Sequence, residues 1–204
     1  MKKKFTFLIA ALLLLTMISQ PTRLWGQTKA ALFSETFNSC NGTGGNDGNW
    51  NGNIASSDLN TDETWSKTDS GKGANKCAKF GTGSKLGKAQ TSSISYTGDL
   101  SLTFKAAAWD GNSESTNLKL SVTQGTLKQN GNTITSVTLV KGSWTTYTVD
   151  IVGVTSATQI TFEGNSSSNS RFFLDDVVVT PKHSITYAVS PAGSGSVSGV
   201  LYKT

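Results

Sequence analysis

The sequence is poor in histidine and cysteine, and this narrows the chemistry open to the chain. Of 204 residues, one is His and two are Cys. A structural zinc site takes four ligands, mostly Cys and His, so a fold built around zinc is disfavoured. The single imidazole, His183, follows the last strand pattern and is interpreted as a linker residue rather than as a catalytic base.

The signatures of common catalytic sites are also missing. The chain has no Gly-x-Ser-x-Gly elbow, no phosphate loop and no His-rich metal motif. A glycosidase needs two carboxylates placed across a cleft. The pairs Asp62 with Glu63 and Asp175 with Asp176 are instead sequence neighbours, whose side chains diverge in a strand. The sequence therefore predicts a protein that is not an enzyme.

The N terminus has the order of a secretory signal peptide. Lysines at 2–4 precede an apolar run at 5–18 and a polar end at 19–21. This predicts a signal peptide over residues 1–26 that forms the only helix, too short to span a bilayer comfortably. We expect the mature chain to be secreted or displayed on a bacterial surface, with no membrane span.

Most of the basic charge belongs to that segment. The full chain carries a net charge of +5. Without the Lys and Arg residues of the signal peptide, 14 basic residues remain against 13 acidic ones, which leaves a net charge of +1. The remaining lysines are scattered, whereas nucleic-acid binding needs a clustered basic surface. We therefore expect no nucleic-acid partner.

Cys40 and Cys77 are predicted to form a disulfide, because an even pair in an exported chain is first interpreted that way. Two free thiols are the alternative. The bridge would stabilise the fold by about 4 kcal/mol in the chain-entropy treatment. Residues 38–88, polar and with few apolar anchors, are predicted to fold as long loops tied down by it.

The rest of the chain alternates with a period of two and has no convincing helical period. Apolar and polar residues alternate over 100–108, 118–122, 147–151 and 160–162, with glycine-containing turn signals between them. Many short strands of this kind predict antiparallel sheets in a sandwich or barrel. We place this domain at 27–182, and we interpret 183–204 as a tail or as the truncated start of a further β-rich repeat.

Two adjacent carboxylates, Asp175 and Asp176, interrupt an otherwise apolar strand. Because side chains alternate between the faces of a strand, one Asp is predicted to point toward the core. Glu35 has a similar position, since it shares a face with Phe33 and Phe37. A buried, unpaired carboxylate costs several kcal/mol or takes up a proton.

A divalent cation would relieve these charges if the first and last strands are neighbours. Oxygen ligands favour Ca²⁺, held by Glu35 with Asp175 or Asp176, as a structural site without a catalytic role. The alternative is that the aspartates lie at the end of the strand, where they cap loop amides or pair with Arg171.

Four tryptophans are candidates for contact with a ligand. Trp109 and Trp144 lie on the wet sides of their strands, and Trp50 and Trp65 lie in polar stretches. A flat indole ring is suited to stacking against a sugar ring. The alternative for each is that the ring seals the rim of the core under a loop.

Four segments carry a family resemblance. They are 33–37 (FSETF), 100–109 (LSLTFKAAAW), 142–149 (GSWTTYTV) and 172–177 (FFLDDV). Over about 32–180 the chain resembles jelly-roll β-sandwich modules of exported proteins from anaerobic bacteria, which are similar to carbohydrate-binding modules, MAM-type domains and cleaved-adhesin domains. The resemblance implies a jelly-roll fold, a Ca²⁺ where Glu35 meets Asp175 or Asp176, and the start of a bacterial β-repeat after the domain.

Two functions follow as expectations. The first is a secreted, non-catalytic module that binds a polysaccharide or another glycan. The second is an adhesive or spacer module of a cell-surface protein, with a host or cell-surface protein as partner or with no ligand.

Overall fold

A computed structural model describes residues 30–52, 54 and 57–182. The predicted signal peptide, the tail from 183 and His183 lie outside the described residues. Every regular element within them is a β-strand, so the all-β prediction is confirmed. In this part of the chain no helix is long and apolar enough to cross a membrane.

Fifteen strands follow one another along the chain. They are β1 (Phe33–Glu35), β2 (Trp65–Asp69), β3 (Gly71–Gly73), β4 (Ala78–Phe80), β5 (Lys88–Thr91), β6 (Ile94–Ser95), β7 (Gly98–Ala108), β8 (Asn117–Val122), β9 (Thr126–Gln129), β10 (Asn132–Thr133), β11 (Ser136–Thr138), β12 (Thr145–Val154), β13 (Ala157–Thr158), β14 (Ile160–Gly164) and β15 (Phe172–Pro181). Residues 38–88 thus contain β2, β3 and β4, and the prediction that they are only long loops is wrong.

The strands form two main antiparallel sheets. The large sheet has the order β10-β9-β12-β7-β15-β4-β3, and β1 also pairs with β15. The small sheet has the order β11-β8-β14-β5-β2, and β13 and β6 form a separate pair. Strands β5, β8 and β14 thus belong to the small sheet, and β7, β12 and β15 to the large one.

One hydrophobic core lies between the two sheets. Alternate residues of β7, such as Leu102 and Phe104, are fully buried, as are Leu118 and Phe162 of the small sheet. The rings of Phe104 and Phe162 meet edge to face, with centroids 5.0 Å apart. The sheets therefore pack face to face as a sandwich, one of the two architectures that the period of two predicted.

Strand β15 has two partners in succession along one of its edges. Phe172 to Leu174 pair with β4, and Val177 to Val179 pair with β1. The first and last strands are therefore neighbours, which was the condition for a shared carboxylate site. Asp175 and Asp176 lie between the two partners.

A β-bulge at the aspartate doublet corrects the predicted assignment of faces. The pairing with β7 slips by one residue between Asp175 and Val178, and Asp176 has a φ of 46°. Leu174 and Val177 therefore both face the main core, although they are three residues apart. Neither aspartate points into that core, so the expectation that one would do so is wrong.

We expect the bulge to tolerate Asn but not a β-branched residue at 176. Asn adopts positive φ readily, whereas Val is strongly disfavoured there. Asp176→Val should lower the free energy of unfolding by about 1–3 kcal/mol, and Asp176→Asn by less than about 1 kcal/mol. Urea denaturation would measure both. Equal losses for the two variants would contradict the strain argument.

Candidate functional site

Glu35 is fully buried, and N–H groups surround its carboxylate. Its Oε1 accepts hydrogen bonds from the amides of Phe37 and Asp62, at 2.8 and 3.1 Å. Its Oε2 accepts from the amides of Asp62 and Glu63, at 3.0 and 3.1 Å, and from the indole Nε1 of Trp65 at 3.0 Å. Both oxygens thus accept hydrogen bonds from N–H donors.

The segment that binds Glu35 is itself bound by β1. Asp62 Oδ2 accepts from the Thr36 amide at 3.2 Å and from its hydroxyl, and Glu63 Oε1 accepts from the Ser34 amide at 3.3 Å. A hollow of about 460 Å³ lies beside these groups. The carboxylate of Glu63 therefore binds the first strand, and that of Asp62 binds Thr36, the residue that follows it.

Asp175 lies on the outer face of the large sheet and is buried there, with 5% of its surface exposed. Its oxygens accept from Nδ2 of Asn46 at 3.2 Å and from the Asp176 amide at 3.0 Å. Burial raises the pKa of Asp175 to about 6, and the charge of Asp176 adds to the rise, while the bond from Asn46 opposes it.

The other aspartate has a cation as partner. Asp176 Oδ2 lies 2.6 Å from Nζ of Lys105 on the neighbouring strand, and both side chains are about two-fifths exposed. Arg171, the predicted alternative partner, pairs with Glu114. The doublet is thus split between a covered position and a solvated one.

These positions fit the predicted calcium site poorly. Glu35 and the doublet lie on paired strands, but a cation would have to displace N–H donors from both oxygens of Glu35. Between residues 30 and 182, leaving aside 53, 55 and 56, no group of three or more His, Cys, Asp or Glu side chains is arranged to hold a metal. Calcium binding by Glu35, Asp175 and Asp176 stays a prediction.

Three of the four predicted tryptophans converge on the outer face of the large sheet. Trp50 contacts Trp144 and Phe173 edge-on, with both centroid distances 5.3 Å. Trp109 lies parallel to Phe173, at 6.1 Å. The partly buried Ile54 also packs here, so these rings form a second, smaller core between the sheet and the polar segment that precedes β2.

Trp109 has no free face for a sugar. The guanidinium of Arg171 lies 4.1 Å from its ring centroid, and Phe173 packs on the ring as well. Glu114 fixes that guanidinium with two bonds, of 3.0 and 2.7 Å. Trp109 is 7% exposed, so the prediction of a wet indole at this position is wrong, and its role as a rim seal is supported.

Trp65 belongs to a different region. Its ring contacts Phe33 at 5.2 Å and Phe37 at 5.7 Å, and its indole N–H donates to Glu35. The four predicted residues therefore do not form one platform. Trp50 and Trp144 remain half-buried.

The predicted Cys40–Cys77 disulfide is absent, and both thiols are free and buried. Cys40 belongs to the main core and donates to the carbonyl of Asn60, whereas Cys77 belongs to the second core and donates to the carbonyl of Gly44. The thiols thus point into different layers. Burial raises the pKa of both, and that of Cys77 to about 12.

A cleft of about 490 Å³ lies on the outer face of the small sheet, lined by Leu120 and by polar residues. Its side chains come from β8, β11 and β14 and the loop after β14; they include Asn117, Lys119, Ser121, Ser136, Glu163 and Asn165. In the sheet register, Ser136, Lys119 and Glu163 lie side by side across three strands. Nζ of Lys119 donates to the carbonyl of Asn165 at 3.0 Å.

Sequence reasoning did not find this cleft. The alternation in 118–122 and 160–163 does place Lys119, Ser121 and Glu163 on wet faces. The sequence pattern does not show that β8 pairs with both β11 and β14, because this pairing joins segments far apart in the chain.

Comparison with known proteins gives a likeness of shape only. No protein-family model matches the chain, and no curated protein matches it. The CBM22-1 xylan-binding domain of Xyn10C from Paenibacillus barcinonensis is 11% identical, with 74% of this chain and 94% of that domain covered and a TM-score of 0.43. The K3 cleaved adhesin domain of Lys-gingipain from Porphyromonas gingivalis is 17% identical, with 74% and 100% covered and a TM-score of 0.42. At these values the likenesses carry no argument about ligand or activity.

Asp175 should make stability depend on pH. Its folded pKa of about 6 lies above its ordinary value of 3.8, so its stabilising contribution is complete below about pH 4 and is lost as pH rises through 6. Asp175→Asn should remove this loss and raise the free energy of unfolding at pH 7 by up to about 3 kcal/mol. Urea denaturation of both proteins across this range measures the difference, and a constant difference between them would contradict it.

The thiols should be free in the purified protein. Denaturation with an alkylating agent and no reductant should add two labels, and the native protein should react slowly because both thiols are buried with raised pKa values. Intact-protein mass spectrometry counts the labels. No label on the denatured chain would show that the disulfide forms after all.

Proposed function

We propose that this domain is a secreted, non-catalytic carbohydrate-binding module and that the cleft on the small sheet is its glycan site. The observation that carries the proposal is the row of Ser136, Lys119 and Glu163 with Asn117 and Asn165 beside it. The strand order, in which neighbouring segments alternate between two sheets, supports the jelly-roll interpretation. The signal-like N terminus supports export.

The chemistry of this row suits sugar hydroxyls. A hydroxyl group both donates and accepts, and side-chain amides, carboxylates, ammonium groups and hydroxyls offer both functions in fixed directions. The residues lie on strands and at strand ends rather than on one mobile loop, so little ordering would be needed on binding. The volume of the cleft lies in the range of ordinary ligand sites.

The aromatic residues are a poorer choice for this role. The ring of Trp109 contacts Phe173 and Arg171 and is 7% exposed, and Trp65 packs against the main core. Trp50 and Trp144 use part of their surface against each other. A glycan would therefore be held mainly by hydrogen bonds, and the affinity should be weak.

The carboxylates do not favour catalysis. Asp62 and Glu63 bind β1, and in the cleft Glu163 pairs with Lys88 at 2.7 Å. These contacts support a binding role over hydrolysis of the glycan.

Substitution of the cleft amides tests the proposal. Asn117→Ala and Asn165→Ala should each weaken binding by about 2- to 10-fold, because each removes one hydrogen bond of about 0.5–1.5 kcal/mol. Native gel electrophoresis through a panel of soluble polysaccharides detects weak binding as retarded migration. Asn132→Ala, an exposed amide on the large sheet, is the matched control and should leave migration unchanged.

Three outcomes separate the alternatives. Retardation that the cleft variants lose supports the glycan site. Retardation lost with Trp50→Ala but kept by the cleft variants would move the site to the aromatic cluster. No retardation by any polysaccharide would overturn the proposal and favour a spacer or adhesive module.

A further inference from the structure

The resemblance implies a calcium ion where the first and last strands meet, but the groups at that point have the opposite polarity to a cation site. Ca²⁺ takes six to eight oxygen ligands at about 2.3–2.6 Å. The groups that touch the Glu35 oxygens are four N–H donors, one of which contacts both oxygens. N–H groups that converge on one point bind anions.

The neighbouring carboxylates are directed elsewhere. Asp62 accepts from the amide and hydroxyl of Thr36. Asp176 extends to Lys105, and Asp175 lies with Asn46 on the outer face of the sheet. None of these carboxylates shares a hydrogen-bond partner with Glu35.

The segment that supplies most of the donors connects Glu35 to the other sheet. Trp65 begins β2 of the small sheet, whereas Glu35 ends β1 of the large sheet. The bond between them, at 3.0 Å, therefore joins the two sheets, and the amides of Asp62 and Glu63 hold the connection on the same carboxylate. A neutral side chain at 35 would weaken all of these contacts, since hydrogen bonds to a charged group are the stronger ones.

We infer that Glu35 joins the two sheets as a buried anion bound by N–H groups, and that the fold needs no divalent cation at this position. The wild-type chain should melt at the same temperature, within about 1 °C, in millimolar CaCl₂ and after removal of metals with a chelator. Glu35→Gln should lower the melting temperature by about 5–10 °C, equally in both buffers. Differential scanning calorimetry on the exported chain measures these values.

Two tryptophan substitutions test the same inference even if the Glu35→Gln variant does not fold. Trp65→Phe removes one donor to Glu35 and should lower the melting temperature by about 2–5 °C in both buffers. Trp144→Phe is the matched control, because its indole N–H is buried without a hydrogen-bond partner among the described residues, and it should have a smaller effect. A wild-type rise of more than about 3 °C with CaCl₂ would overturn the inference. So would an equal effect of the two tryptophan substitutions.

Discussion

A buried negative charge has to be satisfied for this sandwich to close. Strand β1 is three residues long, and its short ladder with β15 would hold it weakly by itself. The carboxylate of Glu35 adds bonds to the chain that leads into the small sheet, and that chain bonds back to Ser34 and Thr36. Hydrogen bonds between β1 of the large sheet and the segment that leads into β2 of the small sheet thus hold the two sheets together at this edge. Each of the two segments supplies both donors and acceptors.

The aspartate doublet is accommodated by backbone geometry rather than by a partner of opposite charge alone. The bulge turns both side chains away from the main core, and it lies where the edge of β15 passes from β4 to β1. Asp176 reaches solvent and Lys105. Asp175 is covered by the segment that contains Asn46, and this burial raises its pKa.

The period of two in the sequence is enough to predict antiparallel strands in a sandwich or barrel, the longest of these strands and the buried face shared by Phe33, Glu35 and Phe37. It fails at Asp176, because a bulge inserts one residue and reverses the alternation after it. It also fails at Trp109, since a wet face in sequence becomes a buried one when a distant segment folds over it. The partners of Glu35 at Asp62, Glu63 and Trp65 were not predictable, because they depend on a contact between segments 27–30 residues apart.

The coverage of the two outer faces is the reason for proposing the glycan site on the small sheet. On the large sheet, Trp50 and Ile54 pack over Phe173, so much of the face near the bulge is interior. On the small sheet, Lys119 and Ser121 are exposed, and their hydrogen-bonding groups face solvent. The polar segment before β2 therefore covers the aromatic residues that would suit a sugar, whereas among the described residues it does not cover the cleft on the small sheet.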